Sequence, residues 1–143
     1  MKSSDLQVVL VQNEIEWNNV AHNLNKLSLL LQNVSGSDLI VLPEMFATGF
    51  AVDDVPCQSE TDTVLAWMQR MSLQTSAMVV GSVAFRENGN WYNRLLCVDA
   101  GEVVAHYDKR HLFLNSIEAR AFEPGTAKAF FKCKGWTICP EIC

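Results

Sequence analysis

Apolar positions in this chain alternate between two spacings. Residues 6–12, LQVVLVQ, are a short, β-branched and nearly continuous apolar run, the pattern of a buried strand. From Asn18 to about Val34 the spacing lengthens. Val20, Leu24, Leu27 and Leu31 recur every three or four residues, one face of a helix, with Asn18 or Asn19 as its cap. SGSD (35–38) breaks the chain, and DLIVL (38–42) predicts a second buried strand. Strand, helix-length crossover and strand together predict a parallel pair.

PEMFATGFAVDD (43–54) reads as a loop, and Thr61 to about Thr75 as a second amphipathic helix with Val64, Leu65, Met68 and Met71 inward. AMVVGSVAF (77–85) is a strand, ENGN (87–90) a hairpin turn, WYNRLLCVD (91–99) the returning strand and EVVAHYD (102–108) a further one. AKAFFKC (127–133) and GWTICPEIC (135–143) predict a last hairpin about Lys134-Gly135, its second strand running to Cys143. Parallel units followed by antiparallel hairpins predict an α/β layered domain with a mixed sheet, residues 1–143 forming one domain part with no second domain.

Composition narrows the class. Of 143 residues, 49% are hydrophobic and 19% charged, so the chain is globular rather than disordered. The net charge of −5 and the lack of a basic cluster argue against nucleic acid as a partner. No apolar run is long enough for a membrane span, and the N-terminus turns polar too early for a signal peptide, so a cytoplasmic protein is expected. Cys57, Cys97, Cys133, Cys139 and Cys143 are odd in number and lack a CxxC pair, which favours free thiols over a disulfide framework. Cys139 and Cys143 have no histidine nearby to complete a zinc site, so no metal is expected.

Three residues combine reactive chemistry with an unusual setting. Glu44 follows the strand DLIVL and Pro43, at the kind of strand end where open α/β sheets bind ligands. Lys109 lies in HYDKRHLF (106–113), charged among aromatic and aliphatic neighbours. Cys143 ends GWTICPEIC. Taken singly, a loop glutamate is ordinarily solvated, a lysine snorkels and a strand cysteine packs as a small hydrophobe. Spacing does not choose between Cys139 and Cys143, which share a face of an unbroken strand unless Pro140 disturbs the register. Together, a thiol, a carboxylate and an ammonium are the parts needed to cleave an amide or nitrile through a thioester: nucleophile, base and oxyanion donor.

DLIVLPEMFATGF (38–50), HYDKRHLF (106–113), WYNRLL (91–96) and GWTICPEIC (135–143) resemble motifs of the nitrilase superfamily, the carbon–nitrogen hydrolases with a Glu–Lys–Cys triad. The resemblance spans essentially the whole chain. It implies a nitrilase-like four-layer α-β-β-α sandwich about twice this length, with this chain roughly its N-terminal half. It implies Glu44 as general base, Lys109 as oxyanion donor, and Cys143, by the Pro-x-x-Cys run before it, as nucleophile. Glu118, in LNSIEARAFEPG, matches a second glutamate near the triad; Phe46 is a further candidate substrate contact, and Arg110 a candidate cationic anchor for a small dicarboxylate-like substrate. Lys109 is expected to be held inward by Tyr107 and Phe113 and balanced by Glu44 and Glu118.

The YDKRHLF run and the PEMFATGF loop most resemble the bacterial ω-amidase branch, which implies hydrolysis of the terminal amide of a small α-keto acid such as α-ketoglutaramate. No cofactor is implied. The expected partners are a small-molecule amide and further copies of the chain, as a homodimer or higher homo-oligomer. Two alternatives stay open: another amidase or nitrilase of the superfamily, and a catalytically silent nitrilase-like module used for binding or assembly.

Overall fold

A computed structural model describes residues 5–50 and 58–143; Cys57 and the end of the 43–54 loop lie outside the described residues. β1 (Val8–Leu10), β2 (Leu39–Val41) and β3 (Met78–Glu87) run parallel, and β4 (Asn90–Asp99) and β5 (Glu102–Asp108) follow antiparallel, so one mixed sheet has the strands side by side in chain order. The β3–β4 turn has Asn88 and Gly89 both at positive φ, 51° and 86°, the geometry that matches the twist of a two-residue hairpin. α1 (Val20–Leu31) begins at Asn19, whose side chain accepts from the His22 N–H at 3.1 Å. α2 (Gln58–Thr75) starts earlier than its apolar spacing suggests; Thr61 donates to the Ala84 carbonyl at 3.0 Å instead of marking the helix start.

Both long helices cover one face of the sheet. Leu24, Leu27 and Leu31 of α1 and Val64, Trp67, Met68 and Met71 of α2 bury against Ile40, Val79, Val83 and Val98. The opposite face packs Leu39, Met78, Val80 and Cys97 under Phe131 and Cys133. These come from β6 (Phe131–Cys133), which pairs antiparallel with β7 (Trp136–Ile138) as a separate two-stranded layer. Asp38 ties that layer down, accepting from the Cys133 thiol at 3.4 Å and pairing with Lys134 at 3.0 Å. The short helix α3 (Glu118–Ala121) completes the order.

Two expectations need correction. The 6–12 run is not a fully buried strand. Among the described residues β1 is the edge of the sheet, and Val8 and Leu10 are exposed, Leu10 at 75%, while Val9 on the other side packs against the helices. The last strand does not reach Cys143. It stops at Ile138, two residues before Pro140, which has no N–H to give a ladder. Cys139 and Cys143 therefore share no strand face, and both are exposed.

Candidate active site

β2, β4 and β5 converge on one end of the sheet. The chain leaves β2 through Leu42 and Pro43, with the Leu42 N–H on the Val80 carbonyl at 2.8 Å, and so runs on beside β3. Met45 then adopts φ 51°, uncommon for a bulky residue, while its N–H bonds the Ser82 hydroxyl at 2.9 Å. This turn sets Glu44 at the strand end. Beyond β5 the Lys109 N–H bonds the Asn93 carbonyl at 2.9 Å, so Lys109 and Asn93 stand side by side across neighbouring strands.

The side chains meet there. Lys109 Nζ lies 2.8 Å from Glu44 Oε1 and 2.9 Å and 3.2 Å from the two Glu118 oxygens. Asn93 Nδ2 bridges the carboxylates, at 2.8 Å from Glu44 Oε1 and 3.3 Å from Glu118 Oε1. The Phe113 N–H donates to Glu118 Oε2 at 2.9 Å. A lone ammonium out of water would cost several kcal/mol, so the two carboxylates are what permit its burial. Burial by itself pulls the Lys109 pKa down, but bonding to Glu44 and Glu118 outweighs it and holds the ammonium above the ordinary lysine value. Burial likewise pushes Glu118 up, and the Phe113 N–H, Lys109 and Asn93 together hold it below the ordinary glutamate value.

Access separates the two acids. The Glu118 and Lys109 side chains are 5% and 3% exposed, whereas Glu44 is 27% exposed. Glu44 lines an open cleft of about 160 Å³ together with Ser82, Val80, Leu95, Glu141 and Cys143, with Lys109 behind it.

Each expected site residue has a definite place. Glu44, Lys109 and Glu118 form one bonded cluster, and Cys143 shares the cleft with Glu44. Phe46 requires correction: it is fully buried, its ring 5.7 Å from Trp67 and packed over Gly81, so it is a core residue unable to touch a substrate. Gly81 is required beneath it, since a Cβ there would come within 2.8 Å of the Phe46 ring. Arg110 is ion-paired with Glu141 at 3.0 Å and reaches the cleft only through that carboxylate. Lys109 is not walled in by Phe113, whose side chain is exposed, nor by the Tyr107 hydroxyl, which bonds Glu141. Its neighbours are Asn93 and the Phe50 ring, 6.0 Å from Nζ. Asn93, fully buried, is the site residue the pattern reading missed. Its signal is an amide side chain inside WYNRLL, where strands disfavour asparagine.

Residues 7–143 match the carbon-nitrogen hydrolase family model, and the chain belongs to that family. Omega-amidase YafV of Escherichia coli strain K12 is 36% identical over 138 residues, 96% of this chain and 54% of that protein. The 2-oxoglutaramate amidase of Bacillus subtilis is 26% identical over 138 residues, 93% of this chain and 53% of that protein. Among solved structures, XC1258 from Xanthomonas campestris, a CN-hydrolase superfamily protein with an arsenic adduct in its active site, matches with a TM-score of 0.85 at 32% identity, over 98% of this chain and 54% of that one. An amidase from Nesterenkonia sp. matches at 0.86 and 22% identity, over 100% and 57%, a likeness of fold alone. The fold is thus nitrilase-like, and the chain spans about half the length of the relatives it matches.

Proposed function

We propose that the protein is an amidohydrolase that cleaves the terminal amide of a small α-keto acid, in the manner of an ω-amidase, through a thioester on Cys143. The observation that carries this reading is the shared cleft of Glu44 and Cys143, with the Lys109 ammonium 2.8 Å behind the Glu44 carboxylate. The substrate class rests on the likeness to YafV and to the 2-oxoglutaramate amidase.

Glu44 takes the proton of the Cys143 thiol, and the thiolate attacks the amide carbon. Among the described residues both Glu44 hydrogen bonds fall on Oε1, so Oε2 is the oxygen open to that proton. Protonation removes the charge that holds Lys109 to Glu44. One ammonium donor is thereby released for the oxyanion forming on the former carbonyl, while Glu118 keeps the lysine in place. The intermediate collapses as the C–N bond breaks, the Glu44 proton leaves on ammonia, and the acyl group remains on sulfur. Glu44 then takes a proton from water as it attacks the thioester, releasing the acid and returning the proton to the thiolate. We place this chemistry in the cytoplasm and in a homodimer or larger homo-oligomer; light scattering at working concentration reads the latter.

Ammonia release from α-ketoglutaramate, glutamine and a simple nitrile tests the reading, with Cys143→Ala and Cys139→Ala compared. Turnover of the keto-acid amide, abolished by Cys143→Ala and kept by Cys139→Ala, is expected. Loss in Cys139→Ala alone moves the nucleophile, and no turnover of any amide or nitrile supports a silent module instead. A preference for nitrile or glutamine replaces the substrate class.

A further inference from the structure

The segment that carries Cys143 lies beyond β7. β7 ends at Ile138, and among the described residues 139–143 pair with no strand. Ile142 of this segment is buried, and the side chain next to it, Glu141, is held by hydrogen bonds. Glu141 Oε2 accepts from the Tyr107 hydroxyl at 2.9 Å, and Glu141 Oε1 pairs with Arg110 Nη2 at 3.0 Å. The Arg110 N–H closes the loop on the Tyr107 oxygen at 3.4 Å. Tyr107 is 1% exposed and anchored in β5, whereas Glu141 is 47% exposed. An ion pair so open to water adds little stability, so a function for it has to be sought elsewhere.

Tyr107 and Lys109 are two residues apart at the end of β5, on the same side of the strand, opposite Leu95 and Asn93. Tyr107 grips Glu141, two residues before Cys143; Lys109 grips Glu44. We infer that the Tyr107–Glu141–Arg110 network is a positioning device for the nucleophile: the end of β5 holds the cysteine segment with one side chain and the base with the next, and so sets the distance between thiol and carboxylate. This rests on Cys143 and Glu44 acting as nucleophile and base. Tyr107, Glu141 and Arg110 are positioning residues, since none need touch the reacting atoms.

The test is the rate at which iodoacetamide alkylates Cys143 at pH 7 in the whole protein, resolved by peptide mass spectrometry. In the parent, Glu44 lines the same cleft and takes the Cys143 proton as the sulfur attacks the reagent. Tyr107→Phe and Glu141→Ala are expected to slow alkylation at pH 7 about tenfold, the scale of a lost charge-assisted hydrogen bond. Glu141→Gln, which still offers Tyr107 an acceptor, should recover most of the loss. kcat on the working amide should fall with the alkylation rate, KM should stay within about twofold, and the melting temperature should hardly move. Alkylation within twofold of the parent in both Tyr107→Phe and Glu141→Ala overturns the inference. So does faster alkylation, the sign of a segment merely loosened. Glu141 is exposed enough for its variants to fold if Tyr107→Phe does not. Alkylation needs no substrate, so a failure of the ω-amidase reading leaves this test intact.

Discussion

Replacing Glu118 by glutamine changes one atom in a place with no spare acceptor. The carboxylate takes Lys109 on both oxygens, at 2.9 Å and 3.2 Å, Asn93 Nδ2 on Oε1 at 3.3 Å and the Phe113 N–H on Oε2 at 2.9 Å. Glutamine offers one carbonyl oxygen and one NH2. If the oxygen keeps Phe113, the NH2 faces Lys109 and Asn93; if it keeps those two, the NH2 faces the Phe113 N–H and still confronts the ammonium. Either way a charge-assisted bond, about 1.5–3 kcal/mol, is lost and a buried donor is left unpaired. Lys109 retains Glu44 at 2.8 Å, which limits the damage. The expected cost is therefore about 3 kcal/mol, at the lower end for breaking a buried pair. Lys109→Met should cost about as much, because it leaves two carboxylates sharing one asparagine amide. The double variant should cost less than the sum by about 2 kcal/mol, since each single change strands the other's partner. Urea unfolding reads all three as shifts in midpoint at constant slope. A Glu118→Gln cost below about 1 kcal/mol, or additive costs, would refute the view that this cluster is held as a unit.

Acid should find the same cluster. Glu118 has its folded pKa below the ordinary value near 4.5, so its contribution is complete above that value and lost as pH falls through the folded one. Lys109 has its folded pKa above 10.5, so its contribution is complete below that value and lost as pH rises through the folded one. Melting temperature against pH should show a plateau between these limits, and Glu118→Gln should flatten the acid limb; an unchanged acid limb in that variant would count against the assignment. Gly125→Ala drives a Cβ into the Asp108 carbonyl oxygen, where the Gly125 N–H holds the Lys109 carbonyl at 2.9 Å. Overpacking of this kind costs about 1–3 kcal/mol, and a matching drop in melting temperature with a fall in kcat is expected; neither should occur if the 122–125 turn can move away from β5.

The parts of this molecule that were readable from residues alone are those where a local rule and the tertiary context agree. Val20, Leu24, Leu27 and Leu31 marked α1 because a helix against a sheet buries one face, and Asn88-Gly89 marked the β3–β4 hairpin because few dipeptides reach positive φ twice. Glu44 and Lys109 stood out as charges in apolar company, and the structure resolves that oddity by setting each beside the other. Periodicity could not say that β1 lies at an edge, because an apolar run looks the same whether its second face is covered or open. Phe46 is a candidate substrate contact in the sequence, yet the left-handed turn at Met45 sends Glu44 toward the cleft while Phe46 packs over Gly81. Asn93 and Glu141 illustrate the deeper limit. Their meaning lies in pairs separated by 49 and 34 residues, Asn93 with Glu44 and Tyr107 with Glu141, and only strand register brings such pairs together. One residue of slip in β4 would turn Asn93 to the opposite face, and one in β5 would turn Tyr107, each dissolving its own contact. What secures the site is therefore the β4–β5 pairing of Arg94 with Asp108, reinforced by their 2.7 Å ion pair, as much as the site residues themselves.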